Sequence, residues 1–169
     1  TNIGNDAFNE CSNLTEIDIP EGVISIGNEV FCGCSSIKNI NIPESVNSIG
    51  EYTFSGCSSL KNINIPEGVA RIEQRTFEGC SSLIEINISR RITSIGWYAF
   101  RGCSNLTEIN IPENIETIEK NSFEKCSNLI SINVENNNKN FSSENGILFN
   151  KSRTEIIKYP EGKKDINEY

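Results

Sequence analysis

Seven cysteines and no histidine limit the chemistry that this 169-residue chain can perform. Six of the cysteines recur every 23 residues, at Cys11, Cys34, Cys57, Cys80, Cys103 and Cys126. If they stack at the strand spacing of about 4.8 Å with parallel side chains, their Cβ atoms stay outside the roughly 3.8 Å that a disulfide prefers. A straight row of thiols also does not converge on one zinc ion. We interpret the six as small apolar residues that fill the same buried niche in each repeat.

The seventh cysteine, Cys32, falls in a column of variable polar residues and is predicted to be exposed. The other members of that column are Asn9, Ser55, Glu78, Arg101 and Glu124. Two interpretations of Cys32 stay open, a chance thiol or a redox site, although its Cys-Gly-Cys context is not the C-x-x-C of redox motifs. Unpaired thiols suit a reducing or oxygen-poor setting better than an oxidising secretory one.

The sequence lacks the residues that most enzyme mechanisms require. Without histidine there is no Ser-His-Asp or Cys-His pair and no imidazole for a metal ion. No glycine-rich phosphate loop is present, and no pair of carboxylates interrupts the repeat as a catalytic site would. The carboxylates also lack the spacing of a Ca²⁺ loop. The sequence therefore predicts a protein that is not an enzyme and that holds no cofactor or metal.

Charge and hydropathy argue against two classes of partner. The chain has 23 acidic and 15 basic residues and a formal net charge of -8, whereas nucleic-acid binding needs a basic surface. It has no run of about 18 apolar residues, so we expect no membrane span in this segment. It lacks methionine and begins in the middle of a repeat, and we therefore expect it to be part of a longer protein.

A 23-residue repeat organises the whole sequence, and one unit reads I-G-x-x-x-F-x-G-C-S-S-L-x-x-I-x-I-P-E-G-V-x-S. The I-x-I step alternates apolar and polar residues as a half-buried strand does, and the following proline ends strand pairing. The stretch between Ile26 and Phe31 has room for one helical or 3₁₀ turn. Because one unit cannot bury its own apolar side, the units must stack. The sequence predicts an α/β solenoid of about seven coils with one continuous parallel β-sheet and a few short helical turns.

Two segments are predicted, regular 23-residue repeats over 1–135 and a variant coil over 136–169. The variant coil lacks the Cys-Ser-Ser-Leu step, although I-K-Y-P-E-G at 157–162 repeats the I-x-I-P-E-G phrase. Two short apolar runs, 147–149 and 155–159, flank a polar stretch and predict a β-hairpin within the same solenoid.

The first candidate binding surface is the outward face of the predicted sheet, since solenoids use such exposed arrays for binding. One outward column is almost entirely asparagine: Asp18, Asn41, Asn64, Asn87, Asn110 and Asn133. These side chains could offer an uncharged hydrogen-bonding strip to a protein or a glycan. Alternatively, stacked amides could bond to one another along the sheet and have a structural role alone.

The second candidate surface gathers basic and aromatic residues in two middle coils: Arg71, Arg75, Trp97, Tyr98 and Arg101. Trp97 stands in a column that is Asn5, Asn28, Glu51 and Gln74 in the preceding coils, and Tyr98 is predicted to lie beside Arg75 of the preceding coil. Exposed Trp, Tyr and Arg are the types enriched at binding hot spots. Drift among tolerant surface positions would explain the same cluster.

The repeat resembles the leucine-rich repeats of BspA-like surface proteins. The resemblance rests on I-G-W-Y-A-F-R-G-C-S-N-L-T-E-I-N-I-P at 95–112, and on N-G-I-L-F-N-K at 145–151 followed by I-K-Y-P at 157–160, which is similar to an irregular unit that interrupts such arrays. It covers essentially the whole chain. It implies a curved right-handed leucine-rich-repeat solenoid, exported and displayed on bacteria or anaerobic protists, with a role in binding matrix or blood proteins or other cells. It implies no shared set of functional residues.

The residues and the resemblance together favour a non-catalytic cell-surface or secreted module for protein–protein interaction or adhesion. Its predicted partner is a protein or a glycan, with host matrix and plasma proteins among the candidates. The alternative is an intracellular or regulatory leucine-rich-repeat scaffold, which the unpaired cysteines favour.

Overall fold

The chain forms a β-solenoid of about six turns in which most coils contribute two short strands. The computed structural model describes residues 1–164. The strands in this range are β1 Asn2–Ile3, β2 Ser25–Ile26, β3 Asn39–Ile40, β4 Ser48–Ile49, β5 Asn62–Asn64, β6 Arg71–Ile72, β7 Glu85–Asn87, β8 Ser94–Ile95, β9 Glu108–Ile111, β10 Thr117–Ile118, β11 Ser131–Val134, β12 Phe141–Glu144, β13 Ile147–Asn150 and β14 Ile156–Lys158.

Two parallel ladders run along the array, where the sequence predicted one continuous sheet. The first ladder contains the hydrogen-bonded groups β1-β2-β4 and β6-β8-β10, and the second contains β3-β5-β7 and β9-β11. Each residue pairs with its equivalent one repeat away, as Ser25 does with Ser48 and Asn62 with Glu85. The second ladder is the predicted I-x-I strand. The first arises because a second two-residue step that ends in isoleucine, Ser-Ile in β2, β4 and β8, also pairs between coils.

The apolar columns fill one continuous core, as the repeat predicts. The phenylalanine rings of successive coils stack nearly parallel, with centroids 5.4 to 5.8 Å apart, along Phe8, Phe31, Phe54, Phe77, Phe100 and Phe123. The isoleucine and leucine columns of the middle coils are buried beside them. Because strand side chains alternate between faces, a slip of one residue would expose a whole column, and this fixes the stacking register.

Residues 1–164 contain no helix, so the α/β class and the helical turns are not confirmed. The reason lies in the backbone. The N–H groups of Phe31 and Gly33 donate to the carbonyls of Thr53 and Ser55 in the next coil, at 2.9 and 2.8 Å. Glu29 and Gly33 also have positive φ values, 57° and 74°, which a right-handed helix does not contain. Alternate N–H groups of this stretch therefore join neighbouring coils, which interrupts the bonding pattern of a helix.

An antiparallel sheet of β12, β13 and β14 follows the last parallel strand. Asn145 and Gly146, with φ of 51° and 78°, connect β12 to β13 in the conformation that tight hairpins require. The Ile132 N–H donates to the Gly146 carbonyl at 2.8 Å, which attaches this sheet to the last coil. Since β14 belongs to the antiparallel sheet, the 157–162 phrase adds no seventh parallel coil.

The predicted variant segment over 136–169 extends past residue 164, and its last five residues lie outside the described residues. In the described part of the chain, no helix is long and apolar enough to cross a membrane.

Candidate ligand-binding face

Outward side chains of the second ladder line a shallow trough of about 570 Å³, which we call the asparagine trough. Its polar walls include Asn62, Asn64, Glu85, Asn87, Glu108 and Asn110. Parallel pairing places the equivalent side chains of adjacent coils about 4.8 Å apart, so amides repeat at that spacing along the trough. The remaining members of the predicted column, Asp18, Asn41 and Asn133, are exposed and do not line the trough.

Most of these amides are not used by the protein itself. Within residues 1–164, the side chains of Asn41, Asn64 and Asn87 form no hydrogen bond, although each is exposed on a strand face or edge. At the end of the column, Asn133 Nδ2 donates to Asn110 Oδ1 at 3.2 Å. If the asparagine column had only a structural role, its amides would bond to one another along the sheet. Among the column's residues, this bonding occurs only between Asn110 and Asn133. The middle of the column keeps its donors and acceptors available for a ligand.

The charged residues of the trough are acidic. Glu85 and Glu108 line it, and none of its lining residues is lysine or arginine. A partner segment that carries positive charge would therefore be favoured over an acidic one. In the part of the chain that the structure describes, no group of three His, Cys, Asp or Glu side chains is placed to hold a metal ion.

The second candidate surface has a different character, because its side chains contact one another. We call Tyr52, Arg75, Glu78, Tyr98, Arg101 and Glu124 the tyrosine–arginine cluster. The Arg75 guanidinium lies 5.4 Å from the Tyr52 ring centroid and 5.0 Å from that of Tyr98, which confirms the predicted Tyr98–Arg75 proximity. Arg101 lies 5.5 Å from the Tyr98 ring. These are cation–π contacts between successive coils.

Ion pairs neutralise the arginines of the tyrosine–arginine cluster. Arg101 donates to Glu78 at 2.6 Å and to Glu124 at 2.9 Å, and Arg75 donates to Glu78 at 3.3 Å. The hydrogen bond to Glu78 is the main cause that raises the pKa of Arg101. Two arginines thus share two carboxylates, and a ligand would have to displace these bonds to reach the guanidinium groups.

Two predicted residues lie apart from this network. Trp97 is 48% exposed, and its backbone carbonyl accepts a hydrogen bond from the Arg75 N–H at 2.9 Å. Arg71 lies on β6 in the first ladder, where it pairs in register with Ser94. Neither side chain forms an ion pair or cation–π contact with the cluster among the described residues.

The cysteine row is an internal feature of the array, as predicted, except at Cys11, which is exposed. Each buried thiol from Cys34 to Cys126 donates to the carbonyl of the phenylalanine 26 residues earlier, at 3.1 to 3.2 Å. Burial raises the pKa of Cys34 to about 11 and that of Cys126 to about 12. These thiols are therefore protonated and unreactive at neutral pH.

Cys32 is half-buried, not exposed as predicted. Burial, followed by the nearby Glu29 and Glu10 carboxylates, raises its pKa. The thiolate that redox chemistry needs is thereby disfavoured.

Sequence reasoning missed a second hollow, of about 560 Å³, at the edge where the turns of the last coils stack. We call it the turn-edge hollow, and its walls include Arg91, Glu113, Asn114, Glu116, Asn137 and Lys139. A signal was present in the sequence, because the I-P-E-G phrase becomes I-S-R-R at 88–91. Coil stacking explains the regular spacing of the I-P-E-G phrase but does not explain the I-S-R-R that replaces it, so this replacement could have marked the edge as a candidate site.

The family follows from comparison of the whole repeat. A family model described as BspA type Leucine rich repeat region matches the chain in six copies, over residues 1–129 and 48–169. The chain belongs to the BspA-type leucine-rich repeat family. Since repeats of this type are protein-interaction modules, family membership indicates a role in protein interaction but does not identify the ligand. A comparison with curated protein sequences gave no match.

Solved structures of bacterial leucine-rich repeat proteins share the fold. A leucine rich cell surface protein from Faecalibacterium prausnitzii is 28% identical over 98% of this chain and 51% of its own, with a TM-score of 0.73. The T. pallidum leucine rich repeat protein is 31% identical over 67% of this chain and 54% of its own, with a TM-score of 0.64. A Bacteroides ovatus protein is 34% identical over 79% of this chain and 33% of its own, with a TM-score of 0.63. The BspA-type chain therefore spans about half or less of these relatives.

Proposed function

We propose that this chain is a non-catalytic, cell-surface or secreted binding module that captures a protein partner in the asparagine trough. The observation that carries the proposal is the row of exposed amides at Asn64 and Asn87, which have no hydrogen bond within residues 1–164. An asparagine amide offers two donors and one acceptor oxygen. Amides that repeat about every 4.8 Å along a sheet face present a row of hydrogen-bond donors and acceptors to the polar groups of a partner.

The partner that fits best is a protein whose contacting segment is polar and basic. The trough has amide and carboxylate walls, with Glu85 and Glu108 as its charged members. Electrostatic complementarity to these carboxylates would speed association and exclude acidic partners. Host matrix and plasma proteins with basic segments belong to this class, and binding to them would give the chain a role in adhesion.

A surface location is supported by a relative and is compatible with the thiols. The F. prausnitzii relative is described as a cell surface protein. Five of the seven unpaired cysteines, which favoured an intracellular scaffold on sequence grounds, are buried in the row from Cys34 to Cys126 and hydrogen-bonded, whereas Cys32 is half-buried and Cys11 is exposed. Buried protonated thiols resist oxidation in either compartment, so they no longer favour the intracellular alternative. Protease accessibility of the protein on intact source cells would test the location.

Binding itself is tested by screening the chain against immobilised matrix and plasma proteins. The double variant Asn64→Arg/Asn87→Arg fills the trough with long cationic side chains and should lower the affinity for a captured protein at least 100-fold. The matched control is Ser48→Arg on the first ladder, where Arg71 occupies the equivalent position naturally. Equal loss of capture by both variants, or no capture by the wild-type chain, would overturn the proposal.

A further inference from the structure

The turn-edge hollow lies where three successive turns depart from the repeat. In regular coils the third turn position is Gly22, Ser45 and Gly68, and in the last coils the same column continues as Arg91, Asn114 and Asn137. A Cβ at Gly68 would lie 2.9 Å from the Val46 carbonyl oxygen, so that turn packs closely on the preceding coil. The last three positions carry large polar residues, and all three line the hollow.

Hydrogen bonds hold the walls of this hollow in place. Ser89 Oγ accepts from the Arg91 N–H at 3.0 Å and donates to Glu67 at 2.7 Å. The Glu135 carboxylate accepts from Arg90 at 3.1 Å and from the Glu113 N–H at 3.0 Å. Because the turns on both sides are fixed before a ligand arrives, little ordering would be needed on binding.

The opposite wall rests on a buried asparagine. Asn138 is fully buried and donates to the carbonyls of Pro112 and Ile115 at 2.9 and 3.0 Å. Its Oδ1 accepts from the N–H groups of Asn140 and Phe141, both at 2.8 Å. All four bonding positions of this amide are thus used to position the 137–140 loop.

Four of the five charged side chains that line the hollow have no partner among residues 1–164, while the fifth, Arg90, pairs with Glu135. Among residues 1–164, the side chains of Arg91, Lys139, Glu113 and Glu116 form no ion pair or hydrogen bond, although all four line one hollow. Two cations suit a ligand with a negative group. Two carboxylates suit a ligand that donates hydrogen bonds, and they would repel a chain of acidic amino acids. A ligand with one acidic group among several hydroxyls satisfies both pairs.

We propose that the turn-edge hollow binds a sugar unit that bears a carboxylate. The carboxylate pairs with Arg91 and Lys139, while the sugar hydroxyls donate to Glu113 and Glu116 and exchange bonds with the amide of Asn137. The volume lies in the range of small-molecule sites. This site is separate from the asparagine trough, and the proposal does not depend on the protein capture proposed for the trough.

Calorimetric titration with two acidic sugars tests the proposal and separates its two sources. One probe is a tetrasaccharide of alternating glucuronic acid and N-acetylglucosamine, the other a trisaccharide ending in sialic acid, and each is paired with its carboxyl-reduced counterpart. We expect at least one acidic sugar to bind. Its carboxyl-reduced form should bind with an affinity at least about tenfold lower, because a charge-assisted hydrogen bond is lost.

Variants assign the binding to the hollow. Arg91→Gly restores the residue type of the regular turn, and Lys139→Ala removes the second cation without touching the turn. Each should lower the affinity about tenfold, while thermal unfolding followed by circular dichroism verifies that both variants fold. The trough variant Asn64→Arg/Asn87→Arg should bind the sugar as the wild-type chain does. The proposal is overturned if neither acidic sugar binds, if the reduced sugars bind equally, if both hollow variants bind normally, or if a glutamate hexapeptide occupies the hollow in their place.

Discussion

The asparagine trough and the tyrosine–arginine cluster are both surface arrays that repeat along the coils, yet their side chains are used differently. In the cluster, Arg75 and Arg101 face tyrosine rings and glutamates of neighbouring coils at hydrogen-bonding or cation–π distance. In the trough, the side-chain amides of Asn64 and Asn87 form no hydrogen bond among residues 1–164. The arginines and tyrosines, which are the types enriched at binding hot spots, thus stabilise the array here. The asparagine amides remain available to bind a partner. Availability of bonding groups separates the two surfaces better than residue type does.

The largest effect we expect concerns the buried thiol row, on which the stability of both surfaces depends through the common core. Unfolded thiols ionise near pH 8.5, while burial raises the pKa of Cys34 to about 11 and of Cys126 to about 12. The stability contributed by the protonated thiols is therefore complete below about pH 8.5 and is lost as the pH rises toward the folded values. With five buried thiols the free energy of unfolding should fall by as much as about 7 kcal/mol per pH unit above pH 9.

Urea unfolding at pH 7, 9 and 10 measures this dependence, and Cys80→Ala is its control. The variant has one buried thiol fewer and should lose about one fifth of the slope. Equal free energies of unfolding at pH 7 and pH 10 would show that burial does not raise the pKa of these thiols. Because stability falls above pH 9, binding to the two surfaces should be compared below that pH.

Removal of the central arginine should affect stability and not binding. Arg75→Ala deletes two cation–π contacts and one ion pair, which together we expect to stabilise the fold by about 1–2 kcal/mol. Chemical unfolding measures the loss, and affinity for a protein captured by the trough should change less than twofold. A large loss of affinity with unchanged stability would reverse the assignment of the cluster.

Two asparagines of the same column give a finer contrast. Asn110→Ala removes the bond from Asn133 and should lower the free energy of unfolding by about 0.5–1 kcal/mol. Asn64→Ala removes no side-chain hydrogen bond within the described chain and should leave the free energy of unfolding unchanged. It should lower the affinity for the captured protein more than Asn110→Ala does. If the two variants lose stability equally, the middle amides are structural after all.

The smallest effect is expected at Trp97. This residue is 48% exposed, and its side chain has no ring or cation–π contact among the described residues, so Trp97→Ala should change the free energy of unfolding by less than about 0.5 kcal/mol. Affinity for the trough ligand should also stay constant. A selective loss of capture, measured beside thermal unfolding, would establish Trp97 as a binding residue.

The repeat period predicted the core and the outward columns, because each buried position recurs with one residue type. It did not predict the first ladder or the absence of helices. Those depend on positive φ values at Glu29, Tyr52, Arg75 and Tyr98, and side chains of these types give no local signal for that conformation. The strand β12 was also missed, since F-S-S-E carries little apolar alternation of its own.

For the candidate site, the sequence identified the exposed columns but not which side chains were already paired. The Glu78–Arg101–Glu124 ion pairs join residues 23 positions apart, and their charges alternate along one column, so this network could have been inferred once the register was known. The turn-edge hollow required the shape of three stacked turns. Spacing alone gives neither that shape nor the unpaired state of Arg91 and Lys139.

The central claim is that the amides of the asparagine trough, and not the arginines of the cluster, contact the partner. The most direct measurement is a ¹⁵N nuclear magnetic resonance titration of the side-chain NH₂ signals of asparagine, the Nε–H signals of arginine and the indole signal of Trp97, with the captured protein's contacting segment as titrant. The account predicts that the Asn64 and Asn87 side-chain signals shift while those of Arg75, Arg101 and Trp97 stay in place. Shifts of the arginine and tryptophan signals with unmoved asparagine signals would contradict it.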